Sequence, residues 1–138
     1  MKEITEIQQD IIEEFSLFED WIQKYEYLID LGKELPALDI RYKKDENLIT
    51  GCQSKVWLHA EKINHKIIYS ADSDAIMTKG IIALLIRVLS NQDPRDIEKS
   101  NLMFIDKIGL KEHLSITRAN GLLSMIKEMK IYALSYIK

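Results

Sequence analysis

Residues 75–89 constrain the fold more than any other part of the chain, because they are apolar on nearly every side of a helix. A helix without a polar face has to be buried, so the pattern predicts a helix at the centre of the molecule. Gly80 lies inside it, where glycine destabilises by about 0.5–1 kcal/mol relative to alanine. Its presence indicates that another backbone packs closely there. The apolar residues are Ile76, Met77, Ile81, Ile82, Leu84, Leu85, Ile86 and Val88.

A small sheet is predicted just before the central helix. Residues 56–60 and 66–70 have the pattern of strands, and residues 63–65 join them as a hairpin in which Asn64 takes a positive φ angle. A further short strand is expected at residues 48–49. The polar residues Asp72, Ser73 and Asp74 are expected to end the sheet and to cap the central helix.

Further helices are predicted on both sides of this unit. Apolar residues recur at helical spacing over residues 4–15, which predicts an amphipathic first helix. Ser16 and Glu19 form a capping-box pattern that predicts the start of a second helix, and Gly32 and Pro36 are expected to end it. The apolar face of the second helix is Phe18, Trp21, Ile22, Tyr25, Leu28 and Ile29.

The last third of the chain is also predicted to be helical. Asp93 before Pro94 is a cap followed by proline at the first helical position, which predicts a short helix through Ile97. Packing continues through Phe104, Ile105, Ile108 and Leu110. Ser115 is the expected cap of a last helix. The inward stripe of that helix is Ala119, Leu122, Ile126, Met129 and Ala133.

Composition and charge exclude several classes of protein. The chain has 138 residues, which suits one domain over residues 1–138. Its net charge of -3 removes the general attraction to phosphate backbones, so nucleic acid is not an expected partner. No apolar run approaches the roughly 20 residues that cross a bilayer, and the first residues do not resemble a signal peptide. We therefore expect a cytoplasmic protein that does not enter a membrane.

Cys52 is the only thiol of the chain, so an internal disulfide and a protein-only tetrathiolate metal site are both excluded. A lone cysteine is most often a small core residue. Here it follows Gly51 and precedes Gln53 and Ser54, and no apolar neighbour occurs before Val56. This setting favours an exposed loop tip.

A cysteine nucleophile must be a thiolate, and a nearby cation helps to form it because free cysteine has a pKa near 8.5. Lys55 and Arg118 are the candidates. Arg118 falls in the first turn of the last helix, where the helix dipole disfavours a cation by roughly 0.3–1 kcal/mol. A surface arginine in water is the commoner explanation of such a residue, and an anion held at this point is the alternative.

The residues leave several chemistries open. A hydrolytic pair of Cys52 with His59 or His113 is conceivable, with Gln53 as a weak oxyanion donor. His59 and His65 are not spaced as metal ligands and are expected at the surface. Thiol exchange requires only an accessible sulfur on a mobile loop, and the sequence fits this chemistry best.

A series of blocks runs from Trp21 to the last helix, and in their order along the chain they are Leu31-Gly32-Lys33-Glu34-Leu35-Pro36, Gly51-Cys52-Gln53-Ser54-Lys55-Val56-Trp57-Leu58, Ala71-Asp72-Ser73-Asp74-Ala75, Gly109-Leu110, His113-Leu114-Ser115, Arg118 and Asn120-Gly121-Leu122. With these blocks the chain resembles the SufE family. The block with Cys52 and the Ala-Asp-Ser-Asp-Ala block after it are highly specific. The chain departs from the family at Asn64-His65, which lacks a common glycine, and at Ile116, where proline often begins the last helix.

The resemblance implies an α+β fold like that of the IscU scaffold, with a small antiparallel sheet packed by helices, which agrees with the predicted order of elements. It also implies a sulfur acceptor that works with SufS, a pyridoxal-phosphate cysteine desulfurase. Such a protein takes persulfide sulfur onto its own cysteine, here Cys52, and passes it to iron–sulfur cluster assembly. The pyridoxal phosphate belongs to the desulfurase, and no cofactor is expected on this chain.

Supporting roles are assigned to four residues around Cys52. Gly51 would let the loop extend into a narrow active site, because it lacks a Cβ. Gln53 and Ser54 could donate hydrogen bonds to an anionic sulfur, and Arg118 could add positive charge. The main alternative is a binding module or scaffold-like activator that stimulates the desulfurase without chemistry. A scaffold that holds the cluster itself is less favoured, because clusters are usually bound by several cysteines.

Overall fold

The computed structural model describes residues 2–137 and confirms the α+β fold. Over these residues the chain forms six α-helices and a two-stranded sheet, with short 3-10 turns at Ile40–Tyr42, Asp45–Asn47 and Lys111–His113. The helices and strands are, in chain order, α1 (Ile4–Ser16), α2 (Trp21–Glu34), β1 (Val56–Ile63), β2 (Lys66–Ser73), α3 (Ile76–Leu89), α4 (Pro94–Lys99), α5 (Phe104–Lys107) and α6 (Ile116–Ser135).

The sheet is a single antiparallel hairpin in which Val56 pairs with Ser73 and Ile63 pairs with Lys66. Asn64 has a φ angle of 51°, as predicted, and His65 has one of 68°. Two positive φ angles in a two-residue loop match the right-handed twist of the strands. Each strand continues three residues beyond its predicted end. The expected strand at residues 48–49 is reduced to a single bridge between Leu48 and Trp57.

Neighbouring segments cover both edges of the hairpin. On the outer edge of β1, the Tyr132 and Tyr136 hydroxyls donate to the carbonyl oxygens of Leu58 and Ala60, each at 3.3 Å. On the outer edge of β2, residues 90–92 after α3 form hydrogen bonds with the strand. Exposed strand edges invite pairing with other chains, so these contacts protect a sheet that has only two strands.

The central helix α3 packs against both the sheet and α2, as its apolar sequence predicted. A Cβ added to Gly80 would overlap the carbonyl oxygen of Leu28 in α2. A Cβ added to Gly32 would come within 2.8 Å of the Gly80 backbone nitrogen. The backbone inferred to approach Gly80 is therefore that of α2. The helix is not buried on every side, because Ile76 in its first turn is 65% exposed.

The predicted start of α2 at Ser16 is wrong. Ser16 is the last residue of α1, where its hydroxyl donates to the carbonyl oxygen of Glu13 at 2.6 Å. The cap of α2 is Asp20, whose carboxylate accepts a hydrogen bond from the Gln23 backbone at 2.9 Å. A short aspartate one turn later competes successfully for the same role, since aspartate and serine are comparable N-caps.

Two residues assigned to the second helix also have different positions from those predicted. Gly32 does not end α2, which continues to Glu34, because this glycine serves the contact with α3. Ile22 was placed on the buried face but is 70% exposed. With the helix starting at Trp21, its buried residues are Leu28 and Gly32.

The cap of α3 also differs from the prediction. Its N-cap is Ala75, which provides no side-chain hydrogen bond. Asp72 lies inside β2 and its carboxylate contacts the ammonium groups of Lys43 at 2.6 Å and Lys79 at 3.3 Å. Burial raises the pKa of Asp72, but the hydrogen bonds from Lys43 and its other donors outweigh burial and hold that pKa below its usual value. The aspartate thus fastens the polar connection after α2 to the sheet.

The predicted caps of the later helices are confirmed. Asp93 accepts from the Arg95 backbone at 2.8 Å with Pro94 at the first helical position, and Ser115 accepts from the Arg118 backbone at 3.2 Å. On α6 the buried face is displaced slightly from the predicted one, toward residues 121 and 125. Its buried residues are Gly121, Leu122, Met125, Met129 and Ala133, whereas Ala119 and Ile126 are half-buried.

Replacing Gly80 with alanine is expected to lower the free energy of unfolding by about 1–3 kcal/mol, because the new Cβ overlaps a backbone carbonyl that cannot move alone. Urea unfolding measured by circular dichroism provides the value. Gly121→Ala is the matched control, since it is also buried in a helix but its Cβ would meet Cys52 at ordinary contact distance. This control should gain about 0.4–1 kcal/mol, and equal effects in the two variants would refute the close contact.

Candidate functional site

The loop that carries Cys52 is fixed to the sheet at its far end. The backbone N–H of Lys55 donates to the Asp74 carboxylate at 3.0 Å, and the Asp74 N–H donates to the Lys55 carbonyl oxygen at 3.2 Å. The Ser73 hydroxyl donates to the same carbonyl oxygen at 2.8 Å. Ser73 and Asp74, which were predicted as helix caps, therefore anchor the end of the cysteine loop.

At its near side the loop turns at Gly51, which has a φ angle of 97°. Residues with a Cβ rarely adopt this backbone conformation, so the turn favours glycine. A Cβ at this position would also overlap the hydroxyl of Ser124 in α6. The turn consequently lies directly against α6 and brings the next residue, Cys52, to the helix surface.

The Cys52 side chain is half-buried and faces the backbone of α6. Its Sγ lies 3.6 Å from the carbonyl oxygen of Gly121, to which the thiol can donate a weak hydrogen bond. Burial raises the pKa of the Cys52 thiol, because the charged thiolate is poorly solvated there. The structure therefore corrects the picture of a freely exposed loop tip: the resting sulfur is a partly shielded thiol.

A pocket of about 410 Å³ opens beside the thiol. It brings together four of the five predicted site residues, namely Cys52, Gln53, Ser54 and Arg118. The fifth, Gly51, supports the turn from outside the pocket lining. Three segments contribute: the cysteine loop, the first two turns of α3, and α6 from its N-cap Ser115 to Met125. The remaining lining residues are Thr78, Ile81, Ser115, Thr117, Gly121 and Met125.

Arg118 is the one cation among the residues that line this pocket. It is exposed, and its guanidinium forms no ion pair with any residue between positions 2 and 137. The other proposed cation, Lys55, does not line the pocket. Of the two candidates for electrostatic support of the sulfur, the geometry favours Arg118.

The histidines considered for a hydrolytic pair lie elsewhere. The His59 ring stacks on Tyr42 with centroids 3.6 Å apart, and its Nε2 lies 2.9 Å from a Glu61 carboxylate oxygen. His113 stacks on Trp21 at 3.9 Å. Neither ring lines the Cys52 pocket, so the geometry gives no support for a Cys–His pair. His65 is exposed in the hairpin turn.

A larger pocket of about 540 Å³ lies between the start of α1 and residues 96–103, away from the thiol. Its buried polar side chain is Gln8. The Gln8 amide donates to the Asn101 carbonyl oxygen and accepts from the Phe104 N–H, both at 3.1 Å. These hydrogen bonds satisfy the Gln8 side chain within the protein, so it does not need a ligand in this pocket.

Within residues 2–137, no group of three or more histidine, cysteine, aspartate or glutamate side chains is arranged to hold a metal ion. None of the helices in the same range is long and apolar enough to span a bilayer. The chemistry available at the pocket is therefore that of its side chains: a thiol, hydroxyl groups, an amide and a guanidinium.

The sequence did not identify Thr78, Thr117, Gly121 or Ser124 as part of the site. Thr78 is the one polar side chain among the buried residues of α3, but Lys79 and Arg87 are also polar, so its position in the sequence gave little signal. Gly121 was quoted only as part of a family-like block. Its significance depends on the contact between Cys52 and α6, which joins residues 69 positions apart. Sequence periodicity contains no information about such a contact.

Comparison with known proteins identifies the family. Residues 9–133 match the SufE family, described as an Fe-S metabolism associated domain. A SufE-like protein of Rhizobium meliloti (strain 1021) is 38% identical over 125 residues, which cover 87% of this chain and 89% of that protein. SufE-like protein 1, chloroplastic/mitochondrial, of Arabidopsis thaliana is 40% identical over 129 residues, which cover 91% of this chain but 34% of the plant protein.

The fold is shared with a solved structure of low sequence similarity. The solution structure of a hypothetical protein from Thermus thermophilus matches with a TM-score of 0.78 at 17% identity and covers 94% of both chains. The Arabidopsis relative is named for chloroplasts and mitochondria, so the cytoplasmic location of this chain stays a prediction. Because the family match covers most of the chain and relatives share more than a third of its residues, the chain belongs to the SufE family, which is associated with iron–sulfur metabolism.

Proposed function

We propose that this protein is a sulfur acceptor that takes persulfide sulfur from a SufS-like cysteine desulfurase onto Cys52. The observation that carries the proposal is the setting of the chain's one thiol. Cys52 follows a tight glycine turn and lies at a pocket that also contains Arg118, an arginine without an ion-pair partner among residues 2–137. Membership of a family associated with iron–sulfur metabolism supports sulfur as the cargo.

The transfer is an exchange between the Cys52 thiolate and the persulfide of the donor, and it needs no external oxidant. The Cys52 thiolate attacks the terminal sulfur of the donor's persulfide and forms a new S–S bond. The S–S bond on the donor cysteine breaks, and that cysteine leaves as a thiolate. The proton released from Cys52 passes to solvent or to the departing thiolate. The product is a persulfide on Cys52 and a donor ready for another turnover.

The residues around Cys52 have distinct supporting roles in this proposal. Gly51 allows the turn that presents the sulfur, because its φ angle is positive. Gln53 and Ser54 line the pocket and can donate hydrogen bonds to an anionic sulfur. Arg118 supplies positive charge at the start of α6 and favours the thiolate and the persulfide anion over their neutral forms.

The proposal assigns the pyridoxal phosphate to the desulfurase and no cofactor to this chain. After loading, Cys52 would deliver its terminal sulfur to a scaffold of iron–sulfur cluster assembly by the same exchange reaction. The chain acts catalytically only through its cysteine. A binding module that stimulates the desulfurase without accepting sulfur is the competing function, and the two differ in whether Cys52 is required.

Incubation with a SufS-like desulfurase and free cysteine is expected to add the mass of one or more sulfur atoms to the wild-type protein. Cys52→Ser should gain none, because serine cannot form a persulfide. Intact-mass spectrometry before and after treatment with a small thiol measures the loading and its reversal. Wild-type protein that stays unmodified, or Cys52→Ser that is modified, would contradict the acceptor role.

The same variants separate the two candidate functions through the rate of alanine release by the desulfurase. An acceptor role predicts that Cys52→Ser loses the stimulation seen with wild-type protein. A pure activator predicts that stimulation is retained, since binding does not require the sulfur. Circular dichroism of Cys52→Ser serves as the folding control, because the replacement is close in size.

The free thiol is expected to react with iodoacetamide along a pH profile shifted upward from that of unfolded cysteine. Burial disfavours the thiolate, so the pKa in the folded protein is raised and the reactive fraction at neutral pH is lowered. Rates are measured from pH 6 to 11 on the folded protein and on a peptide spanning residues 50–55. A folded profile at or below that of the peptide would show that Cys52 is not shielded.

A further inference from the structure

Thr78, a largely buried residue, places its hydroxyl in the wall of the Cys52 pocket. It lies in the first turn of α3 and is 7% exposed. Its hydroxyl has no hydrogen-bond partner among residues 2–137. No side-chain polar atom in this part of the protein is both fully enclosed and unpartnered. The Thr78 hydroxyl oxygen must therefore retain access to the pocket space.

Thr78 is only 7% exposed, and its hydroxyl opens to the pocket without a partner from the described protein residues, so its partner has to come from the pocket. Valine has the same shape, and it would fill this position in an apolar helix without burying a polar atom. Other polar side chains of the pocket, such as Gln53 and Thr117, are exposed and can be served by water. The position of Thr78 indicates a hydrogen-bond partner that enters the pocket.

The charges around the pocket indicate that this partner is an anion. Arg118 has no ion-pair partner in the described part of the chain, and the first turn of the 20-residue helix α6 adds the positive end of a helix dipole. No aspartate or glutamate lines the pocket. Among the residues that line it, Arg118 is the one with a permanent charge, and Cys52 is the one that ionises.

The anion supplied by the proposed function is the terminal sulfur of a Cys52 persulfide, and the inference rests on that function. In the resting protein the Cys52 Sγ forms its hydrogen bond with Gly121 and none with Thr78. A second sulfur extends the side chain by an S–S bond of about 2.05 Å. We propose that the Thr78 hydroxyl donates a hydrogen bond to this anionic terminal sulfur, so that the pocket distinguishes the loaded cysteine from the free thiol.

Such a hydrogen bond stabilises the persulfide anion in the pocket and lowers the persulfide pKa. Hydrogen bonds to charged acceptors are about twice as strong as those between neutral groups. Loaded sulfur would therefore be held against loss until a recipient is present. Thr78 acts here as a positioning residue for the terminal sulfur and takes no part in bond breaking.

The test uses persulfide made chemically, so that it does not depend on a desulfurase. The Cys52 thiolate first attacks dithiobis(nitrobenzoate), an aromatic disulfide. This step forms a mixed disulfide on Cys52 and releases one thionitrobenzoate. Hydrosulfide then attacks the Cys52 sulfur, and the second thionitrobenzoate leaves as a thiolate. The product is the Cys52 persulfide, whose loading is verified by intact mass. Its alkylation by iodoacetamide is then measured as a function of pH.

Thr78→Val is expected to raise the midpoint of persulfide alkylation by about 1–2 pH units, because a hydrogen bond to the charged form is lost. Thr78→Ser keeps the hydroxyl and should return the midpoint close to that of the wild type. The alkylation midpoint of the unloaded Cys52 thiol should be the same in all three proteins, since Thr78 does not bond to it.

An unchanged persulfide midpoint in Thr78→Val would overturn the inference. An equal shift of the persulfide and thiol midpoints would also overturn it, because that result indicates a general change in the pocket. Failure of a desulfurase to load wild-type Cys52 would refute the proposed function instead. The chemically loaded protein still decides the role of Thr78 in that case.

Discussion

The close contact between α2 and α3 determines where the central helix lies, and the rest of the structure depends on that helix. At Gly80 the missing side chain lets the Leu28 backbone lie directly against α3, while the helix also packs against the hairpin. Thr78 and Ile81 flank this contact within one turn and line the Cys52 pocket. A displacement of α3 would therefore change the site together with the core.

The thiol depends on a second close approach, between the cysteine loop and α6. Gly51 allows it, because a side chain there would overlap Ser124, whereas a Cβ at Gly121 would meet the sulfur only at ordinary contact distance. The resulting burial opposes ionisation of Cys52, and Arg118 lines the same pocket. A shielded thiol reacts slowly with oxidants, since the thiolate is the reactive form.

The sequence was sufficient for the order of the main helices and strands and for four residues that meet at the Cys52 pocket. Periodicity and turn residues predicted the central helix, the hairpin at Asn64 and the caps at Asp93 and Ser115. It was insufficient where one residue type satisfies two physical roles. Gly32 can end a helix or admit a neighbouring backbone, and only the contact with α3 decides between them. Asp72 can likewise cap a helix or bind a lysine, and Thr78 can fill the core or line a pocket, so the sequence did not predict their observed contacts.

The two proposed states of the sulfur require opposite hydrogen-bond partners, and the pocket contains both kinds. A neutral thiol is a donor, and the Gly121 carbonyl oxygen is an acceptor at 3.6 Å. An anionic terminal sulfur is an acceptor, for which that carbonyl is unsuitable and a hydroxyl or guanidinium is suitable. Thr78 and Arg118 provide these donors on separate helices, α3 and α6. Loading would therefore exchange one set of contacts for another without any new charged residue having to enter the pocket.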